Sequence, residues 1–241
     1  MEIKASDLHF KLLNEQLKGT TDQDVKITNC LGQRYIGSGV SGKNISIEGT
    51  PGNALGAYLA GSTITVYGNG QDATGDTMDS GKIIIHGHCG DTTGYGMRGG
   101  NILIRDNAGY RVGIHMKEYG EHKPAIVIGG KVGDFLGEYQ AGGTIIVLGL
   151  NCTEQEIPVG DFCGTGMHGG AIYIRTSFLP NDLPTQVSAS VATEDDLVEI
   201  YPLIDAYCTN FGVPKEDILK DSFYKLTANS KNPYKQLYTH N

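Results

Sequence analysis

Apolar residues recur along this chain as pairs two positions apart. The pairs are Ile45/Ile47, Ile64/Val66, Ile83/Ile85, Ile102/Ile104, Ile126/Ile128, Ile145/Val147 and Ile172/Ile174. Alternation at a period of two predicts a short β-strand in each unit, with both pair members on its buried face. A glycine marks the start of each unit: Gly37, Gly56, Gly75, Gly94, Gly113, Gly137 and Gly164. The first four intervals are 19 residues each, and the next two, of 24 and 27, read as the same unit with insertions. A fixed period near 20 residues predicts a solenoid, because no unit can bury its apolar face without a neighbour. Stacked about 4.8 Å apart, the strands would form one parallel sheet with two inner ladders of β-branched residues. A third ladder supports the register. Three residues after each starting glycine come Val40, Leu59, Met78, Met97, Met116, Gln140 and Met167, and every methionine except Met1 lies in it. Packing filler explains a methionine stripe better than a soft-metal path.

The ends break the period. Residues 6–18, SDLHFKLLNEQLK, predict a helix capped by Ser6 and stopped by Gly19, with Leu8, Leu12, Leu13 and Leu17 on one stripe. Val25 and Ile27 predict a strand one residue out of phase with the repeats. Together they suit a cap over the first open edge, which makes residues 1–31 an N-terminal cap. Residues 32–178 form the repeat block. Residues 179–241 form a C-terminal extension: a linker over 181–190, a helix capped by Thr193, which Pro202 is expected to break or kink, and a second short helix near Pro214. Insertions in a repeat array go to outside loops, often on a binding face. Two occur here, KEYGEHKPA at 117–125 and LNCTEQEIPVGD at 150–161. From them, Lys117, Tyr119, His122, Asn151 and Glu154 are the candidate partner-contact residues.

Charge and composition narrow the function. Net charge is −8, without basic blocks, which argues against a nucleic-acid or anionic-membrane partner. No stretch reaches membrane-span length, and the N-terminus lacks a signal-peptide core, so a cytoplasmic protein is expected. The five cysteines contain no CxxC pair and read as free thiols, with a Cys152–Cys163 bridge the one alternative.

Motifs that could carry chemistry weaken in context. Three segments match G-x-G-x-x-G, at Gly37–Gly42, Gly94–Gly99 and Gly164–Gly169. A dinucleotide fingerprint must open a helix, whereas each of these leads into another I-x-I strand. His86, His88 and Cys89 could ligate a metal, but no second cluster accompanies them. His115 and His168 read as packed or solvated. No carboxylates pair at matching repeat positions, and no nucleophile has an evident base. No catalytic, cofactor-binding or metal residue is assigned.

The 19-residue units, the G-x-x-G-x-x-x-G bends, and the strings AGYRVGIHMKE, GDFLGEYQAGGTIIVLGL and GTGMHGGAIYIR resemble the C-terminal β-helix domain of glutamate synthase large subunits. One of the subunits of formylmethanofuran dehydrogenase belongs to the same fold family. The resemblance covers roughly residues 1–176. It implies an all-β solenoid, a single-stranded right-handed parallel β-helix of about seven coils, with the N-terminal capping helix and the small helical extension added. It also implies a structural connector. The chain starts Met1-Glu2, so it lacks an N-terminal nucleophilic cysteine, and it has neither an eight-fold βα pattern nor a cluster-binding cysteine group. FMN and an iron–sulfur cluster are therefore expected on partner chains, a glutamine amidotransferase and an FMN-dependent synthase, and self-association stays open. The expected function is a non-catalytic interaction subunit of a glutamate synthase-type complex. Two alternatives stand beside it: a scaffold of a formylmethanofuran dehydrogenase-like complex, and an independent β-helix enzyme. Carbohydrate-cleaving β-helices display charged groups along a coil face, and acyltransferase β-helices follow a six-residue period; neither pattern is evident.

Overall fold

The computed structural model of the chain describes residues 1–153, 155–180 and 182–229. Its elements, in order, are β1 (Glu2–Lys4), α1 (Phe10–Gly19), β2 (Asp24–Leu31), β3 (Asn44–Thr50), β4 (Ala60–Tyr67), β5 (Ser80–Ile85), β6 (Asn101–Ile104), β7 (Ala125–Ile128), β8 (Ala141–Val147), β9 (Gly169–Arg175), β10 (Val187–Val191), α2 (Glu194–Phe211), α3 (Lys215–Leu219) and β11 (Phe223–Ala228). The strands make one mostly parallel sheet. Its order is β1 to β9 in sequence, followed by β11 and then β10. One strand per repeat, each paired in parallel with the next, is a β-helix-like arrangement.

The register is the one the apolar pairs demand. Ile45 pairs with Ile64, Ile64 with Ile83, Ile83 with Ile102, Ile102 with Ile126, Ile126 with Ile145, and Ile145 with Ile172. The second ladder, Ile47 to Ile174, runs beside it in the same pairings. Both ladders are buried throughout, as is the third, from Val40 to Met167. Gln140 is the polar member of that third ladder. It is fully buried, and its amide nitrogen donates to the carbonyls of Gly142 and Gly143 at 3.2 and 3.0 Å.

The starting glycines are required by this packing. At Gly75 the backbone sits at φ +72°, and a Cβ there would lie 2.4 Å from Cδ1 of Ile102. The isoleucine methyl of a following strand fills the space a side chain would need, and L residues rarely adopt that φ. The bends also hydrogen-bond from unit to unit. Gly56, Gly75 and Gly94 donate to the carbonyls of Ile36, Leu55 and Thr74, each at 2.8 Å. The stack is thus tied at its corners as well as along the sheet.

The ends differ from the sequence expectations, for local reasons. Helix α1 begins at Phe10, not at Ser6, and His9 is its N-cap. The chain is still in the sheet at Ala5, whose N–H donates to Thr28 at 2.8 Å, and Ser6 lies in the following turn at φ +28°. Leu13 and Leu17 plug the open end of the core, whereas Leu12 is exposed. Val25 and Ile27 pair in register with Ile45 and Ile47. The extra residue is absorbed by a bulge between Ile27 and Cys30, where Asn29 takes φ +53°. Strand β10 occupies part of the expected linker. Helix α2 runs unbroken through Pro202. The N–H that Pro202 lacks would have bonded to Val198, a residue 54% exposed, where water can replace the donor. The predicted Thr193 cap is present as a capping box with Asp196. Strand β11 closes the far end of the stack antiparallel to β9, with β10 antiparallel to β11 outside it, and Leu226 of β11 completes the core.

Candidate interaction surface

The middle residue of each I-x-I pair points away from the core, and its character changes along the stack. On β2, β3 and β4 it is Lys26, Ser46 and Thr65. From β5 to β9 it is Ile84, Leu103, Val127, Ile146 and Tyr173. The apolar five are buried beneath Ile200, Ile204, Tyr207, Ile218 and Phe223 of the C-terminal extension. This second core is separate from the one inside the stack. Tyr207 anchors it. Its hydroxyl donates to the Arg105 carbonyl at 2.9 Å, and a Cβ on Gly129 would lie 1.9 Å from that oxygen. At the N-terminus of α2, Lys225 pairs with Asp196 at 2.6 Å and lies over the Tyr173 ring. The Lys225 ammonium, with the Thr193 cap, lowers the Asp196 carboxyl to about 2.

One corner of the stack carries a ladder of aromatic and cationic side chains. Tyr95 meets His115 edge-on at 5.9 Å, and His115 stacks on Tyr139 at 5.1 Å. Beside them Phe135 stacks on Phe162 at 4.9 Å, with Arg111 over Phe135 and bonded to Glu138 at 3.0 Å. Arg111, His115, Phe135, Tyr139 and Phe162 all sit at positive φ, between +54° and +61°. Each such residue costs roughly 1–2 kcal/mol of backbone strain, which the inter-unit bonds at these corners offset. Arg111 donates to Asp134, Phe135 to Asp161 and His115 to Glu138, each at 2.9 Å.

The expectation that no carboxylates align is corrected here. Asp72, Asp91, Asp134 and Asp161 all stand three residues before a starting glycine. The Asp72 carboxylate accepts the N–H of Asp91, Asp91 that of Tyr110, and Asp134 that of Asp161, all at 2.9 Å. The signal lay at a fixed offset in the repeat. Its meaning is a side-chain acceptor that extends the backbone ladder, not an acid–base pair.

The candidate contact residues fall into two places. Lys117, Tyr119 and His122 precede β7, at the N-terminal end of the strands. Tyr119 and His122 exchange backbone bonds at 3.1 and 3.0 Å and close a tight hairpin over Gly120 and Glu121, and Tyr119 is 78% exposed beside that tip. With Arg98 and Asp79 they line a recess of about 380 Å³. Asn151 follows β8, at the opposite end of the strands, and donates to Asn107 at 2.9 Å. The structure therefore does not bring the two insertions together. Glu154 lies outside the described residues. The second insertion borders a polar cleft of about 510 Å³ with Cys152, Glu156, Arg175, Lys220 and Asp221 on its walls. Arg175 is committed to the fold there, through the Leu148 and Ile218 carbonyls and Asp221.

The His86–Cys89 motif separates. His86 stacks on Tyr67 at 4.9 Å and meets Phe211 at 5.2 Å; burial, then Arg105, lowers its pKa. Cys89 is buried, and burial pushes its thiol up to about 11. All five thiols are unbridged, and burial raises Cys30 and Cys163 to about 11 and 12. A thiol held protonated is a poor nucleophile. Among the described residues no group of three or more His, Cys, Asp or Glu is arranged to hold a metal ion, and no helix is long and apolar enough to cross a membrane.

A parallel stack tied by glycine corners, with its chemistry confined to surface ladders, defines a repeat-built class of protein. Residues 20–231 match the GXGXG motif family, and the chain belongs to it. It is 44% identical to an uncharacterised protein of Methanocaldococcus jannaschii over 249 residues, covering 98% of this chain and 95% of that one. Among solved structures, the formyltransferase/hydrolase complex of Methylorubrum extorquens, determined with methylofuran, contains a similar chain. That match has a TM-score of 0.67 at 23% identity, over 88% of this chain and 77% of the other. At that identity the likeness is one of fold.

Proposed function

We propose that this chain is a non-catalytic interaction subunit of a multi-chain enzyme of the glutamate synthase type. Glutamine amidotransferase activity, FMN and an iron–sulfur cluster would reside on its partner chains. The observation that carries the reading is the in-register repeat strings of that domain, on a molecule whose aligned polar groups are used up in its own ladders. The relative from Methanocaldococcus jannaschii consists of little beyond the same unit. In this reading the stack is a right-handed β-helix of about seven coils working in the cytoplasm. The Tyr119 hairpin and the aromatic corner are the surfaces for partner contact. Tyrosine, phenylalanine and arginine already held in place are the side chains that dominate protein interfaces.

A second reading, a scaffold in a complex handling formyl groups on a furan carrier, is favoured by one observation, the fold shared with a chain of the formyltransferase/hydrolase complex. Co-purification with identified chains separates the two. Capture of glutaminase and FMN-barrel chains, with glutamine-dependent glutamate formation that requires all of them, is expected. Robust turnover by this chain alone with FMN would overturn the scaffold role. Stoichiometric recovery with pterin-enzyme subunits would replace the first reading by the second.

A further inference from the structure

Strand β10 ends the sheet among the described residues, paired on one side with β11. Its sequence, Val187-Ser188-Ala189-Ser190-Val191, reads identically in both directions. We propose that β10 pairs antiparallel with β10 of a second copy, about a twofold axis through Ala189, and so joins two stacks into one continuous sheet.

The backbone geometry supports this. Asn229 donates to Gln186 at 2.9 Å and Ala192 donates to Phe223 at 2.8 Å, so the residues bonded to β11 are Gln186, Ser188, Ser190 and Ala192. In an antiparallel ladder the alternate residues face the other way. Both backbone groups of Ala189 and Val191, and the Val187 carbonyl, therefore face the open edge. The Val187 N–H is already used in a turn to Pro184 at 2.9 Å. Twofold pairing about Ala189 satisfies all of the edge-facing groups except the Val191 carbonyl, which is left to water at the end of the strand. The two Ala189 residues exchange both bonds, and each Val191 N–H reaches the other copy's Val187 carbonyl. Valine then lies opposite valine, and Ser188 opposite Ser190 on the solvent face, where hydroxyl pairs favour such contacts. A twofold interface must be self-complementary, and a palindromic strand meets that condition without further contacts.

The two sheet edges contrast. The opposite edge, β1, is three residues long and carries Glu2 and Lys4, charges that discourage edge pairing. Strand β10 has neither charge nor proline, and Val191 is 57% exposed. Main-chain bonds would supply most of the affinity. The pairing does not depend on which other chains this one joins.

Sedimentation equilibrium of the full chain, from micromolar to millimolar concentration, tests the proposal. A monomer–dimer equilibrium is expected, with the Ala189 and Val191 amides gaining exchange protection as the dimer forms. Ala189→Pro removes the central donor without touching a β11 bond, and should weaken association by roughly 30-fold. Val191→Lys places a charge on the edge and should do the same. Circular dichroism reports whether each variant is folded. If Ala189→Pro is not, Val191→Lys decides. A chain monomeric throughout, an open-ended series of oligomers, or a dimer indifferent to a folded variant would each overturn the proposal.

Discussion

The outer face of the sheet has two halves with the same backbone and different fates. On β2 to β4 the outward residues are Lys26, Ser46 and Thr65, and the face meets solvent. On β5 to β9 they are Ile84, Leu103, Val127, Ile146 and Tyr173, and α2, α3 and β11 cover them. The inner ladders do not distinguish the halves, since they are buried from Ile45 to Ile174. Stacking therefore needs only the inner pair, and the residue between its members decides whether anything packs outside. Among the described residues no apolar cluster covers the outward side of β2 to β4, so that side contributes nothing to holding the inner ladders together.

The largest expected effect comes from placing a carboxylate on each half. Leu103→Asp leaves an unpaired charge between two packed layers and should cost about 4 kcal/mol or more. Thr65→Asp faces water and should stay within about 0.5 kcal/mol. Urea unfolding of both variants measures the contrast, and equal losses would erase the distinction between the halves.

A smaller effect isolates the anchor of the covered half. Tyr207→Phe keeps the ring and removes the hydroxyl that bonds the Arg105 carbonyl. A loss of about 1–2 kcal/mol is expected, read from the shift of the denaturation midpoint. No loss would mean that ring packing alone holds α2.

The smallest effect is a pH dependence confined to the start of α2. Bonds from Lys225 and from the Thr193 cap hold the Asp196 carboxyl near 2, below its ordinary 3.8. Its folded pKa is depressed, so its contribution is complete above about pH 4 and is lost as pH falls toward 2. Asp196→Asn should flatten that part of the acid limb of a stability–pH curve relative to wild type. An identical limb in both proteins would remove Asp196 from the account of how α2 is held.

Much of the stack was legible in the sequence, because each unit repeats its own evidence. The Ile45 and Ile47 ladders, the methionine ladder and the Thr193 cap follow from spacing alone. The coverage of β5 to β9 was legible too, in the change from Thr65 to Ile84, but only when the middle residues are compared as a series. The aspartate column at a fixed offset was equally readable; what no spacing reveals is that its oxygens accept backbone N–H groups. The late start of α1 depends on Ala5 staying bonded to Thr28, and β10 depends on pairing with β11 more than 30 residues away. Such contacts are set by tertiary pairing, which overrides local propensity. The insertions were visible as broken rhythm, but the period does not say that they leave the strands at opposite ends.

Hydrogen exchange of wild type and Gly129→Ala, read strand by strand, tests the central claim most directly. A Cβ at Gly129 collides with the Tyr207 hydroxyl and with the Arg105 carbonyl, 2.1 Å away, and should loosen α2. The account predicts lost protection in α2 and across β5 to β9, with β2 to β4 unchanged. Loss spread evenly along all the strands, or none in β5 to β9, would contradict a stack that folds from its inner ladders and is covered on one half only.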